Sequence, residues 1–597
     1  MNTYDPTWDL EVIFSGGSQS EELRNYIGVI EDKLVDLQSL VERFMPPKIP
    51  EQSSDLTSLV NRMEDVSMRI RQFSAFVSCL TAQDTNDKHA SRLTAVRSEI
   101  GAKFKNIQTQ FDQKLVQIEE STWKSLLLDL TLSEIAFVLE ERREKAKDKL
   151  DIEQESIINN LAVDGYHGWG QMYDTIVGKM KIEHKGEELS IGQASNKLNA
   201  ASRAERKEMF DKWQEAWEAQ SDLFSETLNH LAGFRLQTYK HRGWDNPLKE
   251  PLEYNRMSEK TLNTMWGVIT KYKPYYKKFL KEKAHWLGVE KLSIYDVHAP
   301  IGQSEQTMDY SEGARFIIDQ FKEFSPLMAQ FTEQAFEKRW IEAEDRPGKR
   351  PGGFCTSFPH SKETRIFMTY SGTLSNVATL AHELGHAYHQ HVMNDLPILN
   401  QGYAMNVAET ASTFAEMIVA DAAVKKAQDP QEKLTLLEDK VQRSVAFFMN
   451  IHARYLFELR FYNERKSGTV SKERLNELMV EAQEEAYQDI LEEYDPTFWS
   501  SKLHFHITGV PFYNFPYTFG YLFSLGIYAE ALKEGEGFEE KYIALLQDTG
   551  SMKVEDLAMK HLKVNLEEEK FWDQALQQCL ADVDEFIELS KHLRAGE

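Results

Sequence analysis

The chain has 597 residues, 41% of them hydrophobic and 27% charged, with 95 Asp and Glu against 69 Lys and Arg and a formal net charge of −26. That length buries a sizeable core and exceeds the usual size of one domain, while the acidic balance argues against nucleic acid as a partner, because neutralising phosphates needs clustered Lys and Arg. No apolar run approaches the roughly 18 residues that span a membrane, no basic stretch followed by an apolar one opens residues 1–22, and Cys79, Cys355 and Cys579 lack metal-ligand spacing, so a cytoplasmic protein with reduced thiols and no membrane partner is expected.

In chain order, charged amphipathic segments with sparse Gly and Pro dominate. The periodicity predicts helices over 21–41, 56–80, 89–119 and 132–160. Residues 179–191 predict a β-hairpin turning at Lys185-Gly186. From AASRAERKEMF a second set of helices begins, over 203–239 and 258–286, and the domain boundary is placed there. The expected organisation is an N-terminal helical lobe with a short hairpin over 1–200 and a second lobe over 201–597. Within the latter, KYKPYYKKFLKEK at 271–283 reads as an amphipathic surface helix.

Residues 353–358 and 365–370 predict a second hairpin turning through 360–364, just ahead of a helix over 376–391. An exposed edge strand there offers main-chain hydrogen bonds to an extended peptide, and Gly352 and Gly353 allow close backbone approach. The helix carries His382-Glu383-Leu384-Gly385-His386, with Thr373 or Ser375 as its cap. Two imidazoles four residues apart share one helix face, about 40° apart around the axis and about 6 Å along it, so both reach one zinc ion. Glu383 stands beside them, where the H-E-x-x-H pattern of zinc peptidases puts the group that takes a proton from the attacking water. Gly385 costs roughly 1 kcal/mol against Ala in a helix interior, and its missing Cβ reads as room for a substrate chain.

A catalytic zinc keeps three protein ligands. His389 lies about 10 Å further along the helix than His382, too far to share the ion, and reads as a neighbouring or substrate-side group. The pattern H-E-x-x-H-x-x-G-x-x-H is excluded, since positions 389 and 392 hold His and Val. Pro397 and Gly402 mark a loop over 394–402, after which the Ala-rich stretch 404–427 predicts about six helical turns folding back antiparallel. Glu409 and Glu416 share one face of it; either completes the zinc site, and the other then accepts a hydrogen bond from a ligand histidine. A further helix is expected over 430–466. The segment 504–521 (HFHITGVPFYNFPYTFGY) is too dense in His, Gly, Pro and Tyr for a plain helix. Its His506, Tyr513 and Tyr521, with Tyr517 as a fourth, are candidates to donate to the oxygen of an attacked carbonyl, worth about 3–4 kcal/mol per donor.

HELGHAYH followed closely by AETAS resembles the zinc site of the thimet-oligopeptidase-like metallopeptidases, in particular their oligoendopeptidase F branch. The likeness extends to YDPTWDLEVIF, DGYHGWGQMY, RPGKRPGGFC, PFYNFPYTFGYLFSLGIY and FWDQAL. It implies a mostly α, two-lobed metallopeptidase enclosing a deep substrate channel, with a small sheet beside the zinc helix and one Zn2+ per chain. It further implies His382, His386 and Glu409 as ligands, Ser412 and Glu416 in support, Glu383 as general base and oligopeptides as substrates. In the thimet relatives the C-terminal His and Tyr residues are more tightly spaced than His506, Tyr513 and Tyr521. Two other readings share these residues: a dipeptidyl carboxypeptidase-like exopeptidase, needing a cation for the terminal carboxylate, and a helical peptide-binding protein with structural zinc. Nothing in the chain specifies an oligomeric state.

Overall fold

Short polar residues start the helices where the periodicity expects them. Ser20 accepts from Leu23 N ahead of Glu21–Arg43, and Asp87 caps Lys88–Val116. Thr373 forms a capping box with Asn376 ahead of Leu374–Met393. The computed structural model describes residues 3–302 and 307–595, and over them the fold is mostly α-helical with two small sheets.

Some expected helices are broken. The segment 132–160 is divided among Leu130–Ser133, Ala136–Lys147 and Ile152–Ala162, the last restarting at Asp151, whose side chain accepts from Gln154 N. The stretch 203–239 separates into Arg203–Glu218 and Ser221–Arg242. By contrast 430–466 runs on from Pro430–Val445 into Ile451–Arg465 through a π-turn at Ala446–Asn450. The basic, aromatic stretch 271–283 lies in the amphipathic helix Glu259–Trp286: Lys271, Pro274, Tyr275, Lys278 and Lys281 are exposed, while Lys273, Tyr276, Phe279, Leu280 and Lys283 are buried and the Lys283 ammonium is paired with Glu438.

Strands β1 (Lys181–His184) and β2 (Glu187–Ser190) form the first hairpin, turning through Lys185 and Gly186, both with positive φ. The second sheet has three strands in the order β3-β5-β4, from β3 (Ile341–Glu342), β4 (Phe354–Phe358) and β5 (Glu363–Phe367). β4 and β5 are the expected hairpin, antiparallel with Phe354 opposite Phe367, while the two-residue β3 runs parallel to β5 and was not anticipated. Because β5 is central, β4 keeps a free edge.

Two hydrophobic cores result. The smaller takes residues from Trp8 to Leu139 together with Phe358 and Phe367 of the sheet; the larger runs from Tyr173 to Phe586 and includes Tyr4. The cores divide between Leu139 and Tyr173. The sheet joins them, since side chains alternate faces along a strand: Phe367 faces the smaller core and Ile366 the larger. The opening YDPTWDLEVIF ties the same seam, with Trp8 Nε1 donating to Gln83 Oε1 at 2.7 Å and Ala343 N to Pro6 O at 2.6 Å.

The helices that carry the site pack without intervening side chains. A Cβ on Gly385 would stand 2.4 Å from Ala411 O and 2.6 Å from Ser412 Cα, so the helix Leu374–Met393 touches the backbone of Met405–Lys426 there. Gly385 thus makes room for a neighbouring helix and not for substrate. Gly520 repeats the arrangement from Phe515–Glu534, where a Cβ would lie 2.9 Å from Asn406 O and 3.0 Å from Glu409 Cβ. Gly385→Ala is expected to force the two helices apart and lower the urea midpoint, by about 1–3 kcal/mol for an overpacked core contact; an unchanged denaturation curve would contradict this packing.

Candidate metal centre

Three ligand groups converge where the two helices touch. One nitrogen each of His382 and His386 and a carboxylate oxygen of Glu409 lie within 4.8 Å of one another. His382 Nε2 is 3.3 Å and His386 Nε2 3.6 Å from Glu409 Oε2, and the two rings stand nearly perpendicular, 4.9 Å apart. The other side of each group is held. His382 Nδ1 faces Glu416 Oε2 at 3.1 Å, and Ser412 Oγ donates to Glu409 Oε2 at 2.8 Å. The Arg443 guanidinium pairs with Glu416 and Asp439, so Glu416 is itself fixed. Glu409 is therefore the member of the pair that meets both imidazoles, and Glu416 the one behind His382.

Protonation suits a cation. Burial holds the His386 imidazole down to about 4, against the opposing charge of Glu409, and so keeps it neutral. Burial works to raise the Glu409 carboxyl, but its hydrogen bond from His382, both imidazole charges and Ser412 outweigh this and bring it to about 2. Two imidazoles and one carboxylate are a donor set zinc favours. Glu383 differs: burial raises its carboxyl to about 7, and its Oε2 is buried without a hydrogen-bond partner.

The cluster sits between two cavities, and His382 and Glu409 line both. One, of about 460 Å3, runs along Gly353 to Ser357 of β4 past Glu383, His386, Gln390 and Tyr403. Gly353 lies against the Phe367 carbonyl and beside the Glu383 carboxyl, a Cβ there standing 3.2 Å from Phe367 O and 3.4 Å from Glu383 Oε1. The other, of about 400 Å3, is walled by Arg443, Phe447, Tyr517 and Tyr521. The hydroxyl of Tyr521 is bonded to Ser444 Oγ at 2.9 Å and lies 3.8 Å from Cys579 Sγ, so it is already engaged. Tyr517 lines this cavity and feels the Glu409 charge, which adds to burial in raising its phenol. Tyr513 stands behind it, ring centroids 5.8 Å apart, and is followed by His504 at 5.2 Å.

His506 is not brought to this cluster. It is 1% exposed and its ring stacks on Tyr173 at 4.0 Å, in the seam between DGYHGWGQMY and the loop 499–508. There Tyr166 Oη donates to Thr508 O at 2.8 Å, His167 Nδ1 meets Thr508 Oγ1 at 2.8 Å, and Tyr173 Oη donates to Ser500 O at 3.0 Å. Arg235 Nε in turn donates to Tyr166 Oη at 2.9 Å. The histidine on the tyrosine side is His504. The two lie two residues apart on and just after the 3-10 turn Leu503–Phe505, hence about 240° apart around its axis. His389 is likewise internal, with Nε2 2.9 Å from Thr549 Oγ1 and its ring stacked on Tyr403.

Comparison with known proteins gives the family. The sequence model described as Peptidase family M3 matches residues 197–578, and that described as Oligopeptidase F matches residues 114–182. The chain belongs to peptidase family M3 and is a metallopeptidase. It is similar to the oligoendopeptidase F homolog of Lactococcus lactis subsp. lactis, 22% identical with 98% of each chain covered. It is also similar to the group B oligopeptidase PepB of Streptococcus agalactiae, 24% identical over 86% of this chain and 85% of that one. Among solved structures, one from Chlamydophila abortus superposes with a TM-score of 0.82 at 18% identity, covering 98% of both chains. The oligoendopeptidase-F of Enterococcus faecium gives 0.69 at 17%, covering 96% of this chain and 99% of that one.

Replacing Glu416 by Gln removes the charge that orients His382 and leaves Arg443 paired with Asp439 alone. Metal affinity, measured by competition with a chromophoric chelator, is expected to fall about 10–100-fold; an unchanged affinity would mean that His382 needs no such partner.

Proposed function

We propose that this chain is a zinc-dependent endopeptidase of oligopeptides, with His382, His386 and Glu409 as the metal ligands and Glu383 as general base. The observation that carries the reading is the buried Glu383 carboxyl, unpartnered at Oε2, beside the convergent imidazole nitrogens and at the free edge of β4. When bound, zinc supplies a Lewis acid that acidifies a water to a pKa of about 7 and polarises the scissile carbonyl.

The chain's own residues do the remainder. The β4 edge holds the substrate backbone extended by main-chain hydrogen bonds, which leaves side-chain preference broad. Glu383 takes the proton from the attacking water and passes it to the leaving amine nitrogen. Its surroundings suit both steps, because Oε2 is buried with no protein partner and is left to the water and the leaving amine. Across the cluster, Tyr517 is the donor best placed for the oxygen that gains charge, with Tyr513 and His504 behind it. Tyr521 serves as a wall of that cavity. An exclusively structural zinc role is disfavoured by the open space on both sides of the ligands and by the unpartnered acid within one of them.

Glu383→Gln, which keeps the shape, is expected to retain its metal and lose about 10²–10⁴ in kcat on an internally quenched peptide blocked at both ends. Tyr517→Phe is expected to lose about 10²–10³ in kcat with metal content unchanged. Parental turnover in Glu383→Gln would remove the general-base assignment, and parental turnover in Tyr517→Phe would remove the donor.

A further inference from the structure

Arg454 and Lys502 form no ion pair among the described residues, in a chain whose net charge is −26. Both lie against one aromatic ring, the Arg454 guanidinium carbon 5.4 Å and the Lys502 ammonium 4.7 Å from the centroid of Phe498. Arg454 donates once, to Asn514 Oδ1 at 3.1 Å, and its Nε is buried with no acceptor. Burial, then the charge of Arg454, lowers the Lys502 ammonium to about 8; burial brings Arg454 to about 10. The nearby imidazoles of His298 and His504 are held neutral by burial and by these same cations, each at about 4.

The two cations border a cavity of about 310 Å3, together with His298, Asn199, Asn450 and Phe447. One carboxylate, Asp495, also lines it and its charge acts on Lys502 without an ion pair; its Oδ1 accepts from Thr497 N at 2.9 Å, Thr497 Oγ1 at 2.8 Å and Gln214 Nε2 at 3.5 Å. Two like charges partly stripped of water beside one ring repel each other, and a bound anion would convert that repulsion into charge-assisted hydrogen bonding. The cavity is not remote from the metal centre. Phe447 is a wall of both this cavity and the one lined by His382, Glu409 and Tyr517, and the Arg454 charge acts on the Tyr517 phenol.

We propose that this cavity is a carboxylate-binding subsite of the peptide channel, in which Arg454 and Lys502 hold an anionic carboxylate of the bound oligopeptide, either its C-terminal group or an acidic side chain. The proposal rests on the peptidase reading above. Anchoring of the C-terminus would place the cut a set number of residues from the carboxyl end, even though the bond hydrolysed is internal.

The test compares four quenched peptides of one sequence on the unsubstituted holoenzyme, with a free or amidated C-terminus and with Glu or Gln near it. Loss of the bound carboxylate is expected to raise KM about 10–100-fold, the equivalent of one or two charge-assisted hydrogen bonds, with kcat little changed. A penalty from amidation assigns the terminal group, and a penalty from Gln assigns the side chain. The double variant Arg454→Met/Lys502→Met is expected to erase that difference. Equal KM for all four peptides overturns the subsite, as does a natively folded, metal-loaded double variant that still discriminates. Should no peptide be cleaved at all, the peptidase reading fails by itself. Fluorescence anisotropy of the same peptides on Glu383→Gln then decides the subsite, tighter binding of the charged forms supporting it and equal binding overturning it.

Discussion

No side chain can stand between position 385 and the backbone of Ala411 and Ser412, and the place of Glu409 follows from that contact. Two helices with ordinary side chains between them keep their axes 8–10 Å apart, a roughly known spacing; a glycine at the crossing draws the second helix inward. Glu409 lies two residues before the touching point and so reaches both imidazole nitrogens, while Glu416, seven residues on, reaches the far side of His382. The Phe515–Glu534 helix is drawn in by the same device at Gly520, and Ser524 Oγ donates to the Glu409 and Thr410 carbonyls. Because Tyr517 sits on that third helix, the proposed ligands and the phenol that shares their cavity are set by one packing unit.

Around this unit the remaining motifs act as fasteners. YDPTWDLEVIF and RPGKRPGGFC tie the three-stranded sheet to the smaller core, through Trp8 to Gln83 and through Arg350 N to Ala82 O at 2.9 Å. This fixes the free edge of β4 relative to Glu383. DGYHGWGQMY holds the loop that leads into His504 and Tyr513, by Tyr166 and His167 on Thr508 and by Tyr173 beneath His506. FWDQAL braces the third helix from behind, with Phe571 lying over Gly526 where no Cβ fits. Most of what resembles the family is thus outside the ligand set and bears on its geometry.

What the chain reveals by itself divides along the range of the interactions. The zinc helix, the following glutamate helix and both hairpins are legible because caps, periodicity and turn residues act within a few positions. Choosing Glu409 over Glu416 needed the resemblance, since both lie on one helical face. β3 escaped because its two residues pair in parallel with a distant strand. Gly385 was read as room for substrate because its contact belongs to another helix. Spacing cannot say which way a 3-10 turn points a ring, so only the structure shows that His504, and not His506, lies beside Tyr513, and only the structure shows the Tyr521 hydroxyl bonded to Ser444. Arg454 and Lys502, 48 positions apart by their numbers, share no sequence pattern at all and meet only through Phe498.

The account depends most on a single divalent ion at the point where the two helices touch. Anomalous diffraction across the zinc absorption edge, on crystals of the unsubstituted protein and of Glu409→Ala grown with equimolar zinc, tests it most directly. One peak per chain bonded to His382, His386 and Glu409, and lost or greatly weakened in Glu409→Ala, is the predicted result. A peak held by other residues, or one of undiminished height in Glu409→Ala, would contradict it.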